Sequence, residues 1–587
     1  MMCGVVGLIG GGSESAAREM IETLTHRGPD GVRVEAVNTD RVKGALAHAR
    51  LSIIDLERGW QPLHAAGCTV IGNGEIYNYK ELTEEFGLKR KLKTGSDFEP
   101  LLHLYAQQGE KAFDKLRGMY AFCLIGHDGR VWLARDPFGI KPLYWRQAEG
   151  VLEFSSEPRA LLKDMKTVQV EGEPVQDLLT FNYSLGRNTV FRGIRRLKPG
   201  EVAEVVYGRP APKSTRSPLP KPDPIARDEA GVLAALDRVL EDSVTVHQRS
   251  DVPYGLFLSG GIDSAVIAAM MARLNERPVT AFTCGFEAAS GKTGVKDERA
   301  GAEKVARALN LDWREVTFGE EDFWRVLPEV AWALDEPTTD YATLPTYKLA
   351  EAAKGVLKVV LTGEGGDELF AGYGRYRRSL RPPLFGGREA GPRATLPFLS
   401  DQGAQAVERW RQATDPRTAL SPALGGLDRL QEAQARDISG WLPADLLLKL
   451  DRCLMAHGVE GRTPFLDPEV ARFAFFLPDK FKVRGRMGKW ILRRWLQRHC
   501  PGADPFGRKA GFTTPVETWI APRAVQLGPR VADVEGVRRF CDAEAVRTVF
   551  RDEKLSEHRW PLLFFAVWWG IHVDRLKPSE ALERLSP

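Results

Sequence analysis

From Tyr207 to Pro224 the sequence carries six prolines and almost no apolar residues. A stretch of that kind cannot bury enough surface to fold by itself, and its prolines hold it extended. It divides a chain of 587 residues, which is in any case too long for one ordinary core. The reading is of a domain over 1–206, a linker over 207–228 and a second domain over 229–587.

The two flanks differ in pattern. Ahead of the linker, short β-rich runs recur at Val5–Ile9, Gly44–His48, Thr69–Asn73, Tyr120–Gly126, Val131–Arg135 and Val151–Ser155. Helical stretches interrupt them around Ser15–Leu24 and Glu99–Gln108. Many short strands with few helices predict an α+β domain of packed antiparallel sheets. Beyond the linker, strand and helix alternate: helix Gly231–Val246, strand Tyr254–Leu258, helix Ser264–Leu274, strand Val279–Phe286, helix Glu298–Leu309, strand Leu357–Leu361. That interval predicts an α/β domain with a parallel sheet, and a mainly helical tail follows from Asp445.

Composition narrows the function classes. The 82 basic and 78 acidic residues leave a net charge of +4, mixed along the chain, so nothing argues for a nucleic-acid partner. No apolar run reaches the roughly 18 residues of a membrane span. The apolar stretch Val5–Ile9 lacks a charged leader and a cleavage site, so it does not read as a signal peptide. Seven cysteines stand singly, at 3, 68, 123, 284, 453, 500 and 541; an odd count without CxxC spacing favours neither a disulfide framework nor a zinc site. The chain reads as cytoplasmic.

Chemistry first shows at Cys3. A thiol is intrinsically nucleophilic, and a free α-amine with a pKa near ~8 can act as its base. An N-terminal cysteine therefore holds nucleophile and base in one residue. Arg50, in His-Ala-Arg-Leu-Ser, offers a guanidinium fork for a carboxylate. Asn73, Gly74 and Glu75 offer an amide, a backbone N–H with room for close approach and an acid, and Asp97 offers a second acid. An oxyanion hole with an ammonium-binding acid needs those groups. Together with His26-Arg27-Gly28-Pro29-Asp30-Gly31 and the block from Arg135 to Tyr144, they resemble the class II glutamine amidotransferases, whose N-terminal-nucleophile domain hydrolyses glutamine. The resemblance implies Cys3 as nucleophile, Arg50 on the glutamine carboxylate, Glu75 and Asp97 on its amine, and Asn73 with Gly74 as oxyanion hole. In that family the cysteine directly follows the initiator methionine, whereas here Met1 and Met2 precede it. Translation from Met2, followed by its removal, would expose Cys3.

A second chemistry lies past the linker. The strand Tyr254–Leu258 runs into Ser259-Gly260-Gly261-Ile262-Asp263-Ser264 and then a helix. Backbone N–H groups, two hydroxyls and a helix N-terminus make a phosphate cradle, and Asp263 is placed to hold Mg²⁺ against the phosphates. There is no GK[ST], so this is not a Walker loop. It resembles the pyrophosphate loop of ATP pyrophosphatases, which adenylylate a substrate.

A further strand end, Leu361-Thr362-Gly363-Glu364-Gly365-Gly366-Asp367, is similar to that of the asparagine synthetase family. The blocks from Asp451 to Asp467 and from Gly488 to Arg493 extend the match. The resemblance implies Glu364 as general base toward ammonia, Lys489 neutralising phosphate charge, and Cys284 against the adenine. ATP is expected to touch Leu258, Ser259, Gly260, Gly261, Asp263, Ser264, Cys284, Thr362 and Gly363, with Asp263 and Asp367 as magnesium ligands. The family's substrates are glutamine, aspartate and ATP; an internal ammonia tunnel and a homodimer are implied by resemblance alone. Other acceptors remain open (peptides, acyl amino acids, sugar acids), as does an inactive ligand-sensing or scaffolding relative. Between about Arg375 and Gln434 the sequence shows only Pro/Gly-rich loops and short helices.

Overall fold

The structure is a computed structural model that describes residues 3–219, 228–287, 298–381, 396, 398–399, 403–420, 424, 426–507 and 514–586. Among the described residues the amino-terminal half holds twelve strands: β1 (Gly4–Ile9), β2 (Val32–Asn38), β3 (Lys43–Ala49), β4 (Leu63–Ala65), β5 (Cys68–Ile76), β6 (Gly118–Ile125), β7 (Val131–Arg135), β8 (Tyr144–Ala148), β9 (Val151–Ser155), β10 (Arg195–Arg196), β11 (Glu201–Val206) and β12 (Arg209–Thr215). They form two antiparallel sheets, ordered β10-β8-β9-β1-β3-β2 and β12-β11-β7-β6-β5-β4. Strand β1 shows why the sheets stack. Val5 and Ile9 join Leu46, Ile71, Cys123, Leu133 and Phe154 in the layer between the sheets. Val6 and Leu8, on the opposite face, pack under the helix Glu14–Glu22. Period-2 alternation with both faces apolar is what a covered central strand requires.

The proline-rich segment departs from expectation. Its first part is strand β12, paired antiparallel with β11, Val205 opposite Pro210 and Ala203 opposite Pro212. It lies at the sheet edge, where a proline's missing N–H costs no ladder bond, so prolines did not exclude a strand here. Residues 220–227 lie outside the described residues.

The carboxyl-terminal half carries a five-stranded parallel sheet of β13 (Tyr254–Phe257), β14 (Thr280–Phe286), β15 (Asp312–Phe318), β16 (Val359–Leu361) and β17 (Glu460–Arg462), ordered β15-β14-β13-β16-β17. Strand order reverses between β13 and β16, so their carboxyl ends open a crevice of the kind in which such sheets bind ligands. Within 447–475 the helices Leu447–Met455 and Pro468–Phe475 flank β17 and a short 3₁₀ turn, Pro464–Leu466.

The halves are joined through buried charge. Arg27 Nη1 and Nη2 donate to Asp451 Oδ2 and Oδ1 at 2.8 and 3.0 Å, and Nη1 donates to Glu157 Oε1 at 2.7 Å. Arg452, beside Asp451, donates through Nε to Asp335 Oδ1 at 3.0 Å. Burial raises the carboxyls of Asp451 and Glu157, but Arg27 at the first, and His26, Arg159 and Arg452 at the second, outweigh it and hold both below the usual range. A depressed carboxylate contributes stability that is present above its unfolded value near ~4 and is lost as pH falls through the folded one. Asp451→Asn removes one of the two carboxylates that compensate the buried Arg27 guanidinium, and breaking such a pair costs about 3–5 kcal/mol. Denaturant unfolding at neutral pH should register that loss, and the difference between variant and parent should shrink in acid.

Candidate active site

Cys3 lies fully buried at the mouth of β1. Its backbone N–H donates to Asn73 Oδ1 at 3.0 Å, and Arg27 Nε donates to its carbonyl at 3.4 Å. Burial pushes the thiol up to about 11, against the opposing pull of the Leu51 backbone and the Arg50 guanidinium. Such a thiol is not a thiolate at neutral pH, so the site needs a base. The nitrogen beside Asn73 Oδ1 is where that base would stand once Cys3 is the first residue.

Around Cys3 the expected glutamine-binding residues are all buried, and each has a defined partner. Gly74 has φ +129°, and a Cβ there would strike the Met119 carbonyl, so only glycine fits this approach to β6. Arg50 donates to the Leu56 and Asp55 carbonyls at 3.0 and 2.6 Å and lies 4.8 Å over the Trp60 ring. Glu75 is ion-paired with Arg462 of β17, a partner the sequence did not disclose. Asp97 Oδ2 accepts the Ile76 N–H at 2.8 Å. Three buried polar atoms are left over: Asn73 Nδ2, Glu75 Oε1 and Asp97 Oδ1 have no hydrogen-bond partner among the described residues. Each such atom costs about 1–3 kcal/mol unless something binds it. One amide donor with two carboxylate oxygens complements a ligand presenting a carbonyl and an ammonium.

At the second site the loop after β13 is folded on its own hydroxyls. Ser259 Oγ and Ser264 Oγ are 2.9 Å apart, the Gly261 N–H donates to Ser259 Oγ at 3.1 Å, and the Ser259 N–H donates to Ser264 Oγ at 3.1 Å. The helix Ile262–Leu274 starts there with Gly261 as its cap, leaving N–H groups at the end of the loop. Lys489 draws the two loops together: its Nζ contacts Asp263 and lies 2.6 Å from Asp367 Oδ1. Burial works against the ammonium, and the two carboxylates outweigh it and hold it at about 12. Lys489 adopts φ +56° just ahead of the helix Trp490–His499, a strained conformation for a residue with a side chain. A side chain at Gly372 would collide with both Asp367 and Lys489.

Glu364, on the loop after β16, is half-buried and makes no hydrogen bond or ion pair among the described residues. Burial pushes its carboxyl up; Lys449 opposes that, while Asp340, Asp367 and Asp263 add to it. A free carboxylate with a raised pKa suits proton uptake.

Two of the expected ATP contacts are also engaged within the fold. The Cys284 side chain belongs to the apolar cluster with Phe282, Phe286 and Phe318, and burial raises its thiol to about 12. Thr362 donates its hydroxyl to the Arg462 carbonyl at 3.4 Å. For magnesium, Asp263 and Asp367 supply two hard oxygen donors beside the phosphate loop. That suits an ion usually held by one or two carboxylates plus substrate phosphates; no fuller metal cluster exists among the described residues.

Apolar side chains fill the space between the half-sites. Cys3, Leu51, Met119, Phe138 and Ile140 share one cluster with Leu256, Val359, Leu361, Met455 and Phe465.

A buried thiol beside unsatisfied amide and carboxylate atoms in one half, and a glycine-hydroxyl loop near a carboxylate without a bonded partner in the other, fit an ATP-dependent glutamine amidotransferase ligase, the class that comparison with known proteins shows. A glutamine amidotransferase domain model matches residues 2–214, and an asparagine synthase model matches residues 235–570. The chain is similar to asparagine synthetase (glutamine-hydrolyzing) 1 of Bacillus subtilis (strain 168), at 30% identity over 99% of this chain and 98% of that protein. It is 33% identical to a putative asparagine synthetase (glutamine-hydrolyzing) of Mycobacterium tuberculosis, covering 97% and 96%. Asparagine synthetase B (glutamine-hydrolyzing) of Escherichia coli (strain K12) matches at 28%, covering 88% and 82%. The chain belongs to the asparagine synthase family.

Proposed function

We propose that the protein is a glutamine-dependent asparagine synthetase, converting ATP, L-aspartate, L-glutamine and water to AMP, diphosphate, L-asparagine and L-glutamate. The observation that carries this reading is the Lys489 ammonium set between Asp263 and Asp367, which gathers the phosphate loop and the loop of Glu364 around one cation.

In this reading the α-amine of Cys3 takes the thiol proton and the thiolate attacks the glutamine amide. Asn73 Nδ2 and the Gly74 N–H receive the oxyanion, while Glu75 Oε1 and Asp97 Oδ1 hold the substrate ammonium and Arg50 its carboxylate. Collapse releases ammonia and leaves a thioester, which water hydrolyses to glutamate. Ammonia crosses the apolar layer unprotonated, since ammonium is no nucleophile.

Across the sheet, the aspartate β-carboxylate attacks the α-phosphorus of ATP lying on the loop 258–264, and pyrophosphate leaves. Adenylylation replaces an oxide leaving group with AMP. Lys489 offsets the charge that builds on the phosphates. Asp263 and Asp367 would hold the Mg²⁺ that accompanies ATP, which further neutralises the departing pyrophosphate. Ammonia then attacks the acyl carbon, Glu364 accepts its proton, and AMP departs. All seven cysteines are free and buried, which suits a reducing, cytoplasmic setting.

Pyrophosphate release from purified enzyme with glutamine and MgATP tests the reading. Release should require aspartate and yield asparagine and AMP; glutaminase activity with no aspartate-dependent pyrophosphate would contradict it.

A further inference from the structure

Beside Glu364 lies a charged group that the chemistry above does not use. Lys449 is 6% exposed, on the helix Leu447–Met455, every residue of which is buried. Its Nζ lies 3.0 Å from Asp340 Oδ2, and Asp340 Oδ1 accepts the Ala342 N–H at 2.9 Å. Asp445, one turn earlier, is buried and bonded to the Thr338 hydroxyl and to Trp441 Nε1, the latter at 2.5 Å. Burial works against the Lys449 ammonium, and Asp340, Glu364 and Asp445 outweigh it. One buried cation thus answers three carboxyl groups, and one of them, Glu364, has no bonded partner.

Burial pushes the Glu364 and Asp445 carboxyls up, so one ammonium shared among three carboxyl groups satisfies the cluster only in part. Among the described residues no group of three or more metal-ligating side chains forms here.

We propose that Asp340 and Lys449 read the zwitterionic end of the acceptor, Asp340 taking a free α-ammonium and Lys449 the adjacent α-carboxylate. The proposal rests on the reading of this half as the site of carboxylate activation. The two side chains satisfy each other. An amino-acid acceptor inserts its own pair of charges, converting one ion pair into two and turning its side-chain carboxylate toward the phosphate loop. An acceptor with no free ammonium, such as an acylated amino acid, a sugar acid or a plain dicarboxylate, leaves Asp340 without a cation once Lys449 turns to the carboxylate. The pair thereby selects a free amino acid over the other carboxylates that the same chemistry could amidate.

The test uses ammonia as nitrogen donor, so that Cys3 is bypassed, and compares kcat/KM of pyrophosphate release for L-aspartate, N-acetyl-L-aspartate and succinate. The full-length enzyme should prefer L-aspartate over either analogue by about a thousandfold or more, as sites built around a polar group reject analogues lacking it. Asp340→Asn should raise the KM for aspartate far more than it lowers kcat and bring the preference over succinate to within about tenfold. Asp340→Glu should restore part of it. This ratio is internal to each preparation, so partial misfolding does not move it, and the parent enzyme's preference stands as a test even if the variants fail to fold. Equal use of succinate and aspartate by the parent enzyme, or full discrimination retained in Asp340→Asn, would overturn the assignment. No pyrophosphate with any of the three, from enzyme that still hydrolyses glutamine, would overturn the aspartate reading itself and the role of the pair with it.

Discussion

Cys3→Ala is expected to lower glutamine-driven synthesis by about ten-thousandfold or more while synthesis from free ammonia continues close to the parent rate. Loss of a covalent nucleophile removes the whole pathway through the thioester, and losses of that order follow in enzymes that act through one. No other group takes over, because each remaining described cysteine is buried elsewhere: Cys68 and Cys123 in β5 and β6, Cys284 in β14, and Cys453, Cys500 and Cys541 in or beside carboxyl-terminal helices. The structural cost is small, since only a sulfur is removed from a packed cluster. Ammonia-driven synthesis is the control that matters. Its survival places the defect in the amino-terminal half, and its disappearance would mean that Cys3 also supports the second site. Residual glutamine-driven synthesis within tenfold of the parent would show that the nitrogen is released by some other route.

The second large effect concerns Lys489. Replacing it with methionine should reduce pyrophosphate release with either nitrogen donor by about a hundredfold to a thousandfold, the usual consequence of deleting a preorganised charge at a reacting centre. Glutamine hydrolysis should persist. The loss has two physical sources. No cation then meets the phosphate charge, and Asp263 and Asp367, now held together across one ammonium, are left facing each other. Lys489→Arg should recover only part, because Gly372 admits the lysine stem with no space to spare. Steady-state pyrophosphate release together with glutamate release checks both arms. Equal damage to the two activities would point to general unfolding.

Legibility of the sequence followed the range of the interactions involved. The loop 259–264 could be read because its chemistry is local: a strand, a glycine turn, hydroxyls and a helix start all fall within a few residues. Cys3 and the Asn73-Gly74-Glu75 strand end were readable for the same reason. Strand β15 escaped because Arg314 and Glu315 break its alternation and, at a sheet edge, most of its side chains are in solvent. Strand β17 escaped because it is three residues long and two of them are charged. Those charges are tolerated only because Arg462 meets Glu460 within the strand and Glu75 across the molecule, and the second pairing spans 387 residues.

The same holds for Arg27 and Asp451, separated by 424 residues. A weak signal was available. The helix Leu447–Met455 places Lys449, Asp451 and Arg452 among leucines, and charges in an otherwise apolar helix must be paired inside the fold. What no single sequence supplies is the identity of the partners. Asp340 and Lys449 were missed on that ground, although they lie beside Glu364, which motif reasoning found.

Central to the proposed function is that the amide nitrogen of glutamine, freed at Cys3, reaches an ATP-activated aspartate without leaving the protein. The most direct measurement runs the aspartate-dependent pyrophosphate assay with glutamine labelled by ¹⁵N in its amide, in the presence of excess unlabelled ammonium, and reads the label in the product. The account predicts asparagine carrying most of the label, formed together with AMP and pyrophosphate. Asparagine whose nitrogen matches the free ammonium pool, or labelled ammonia accumulating with no labelled amide, would contradict it.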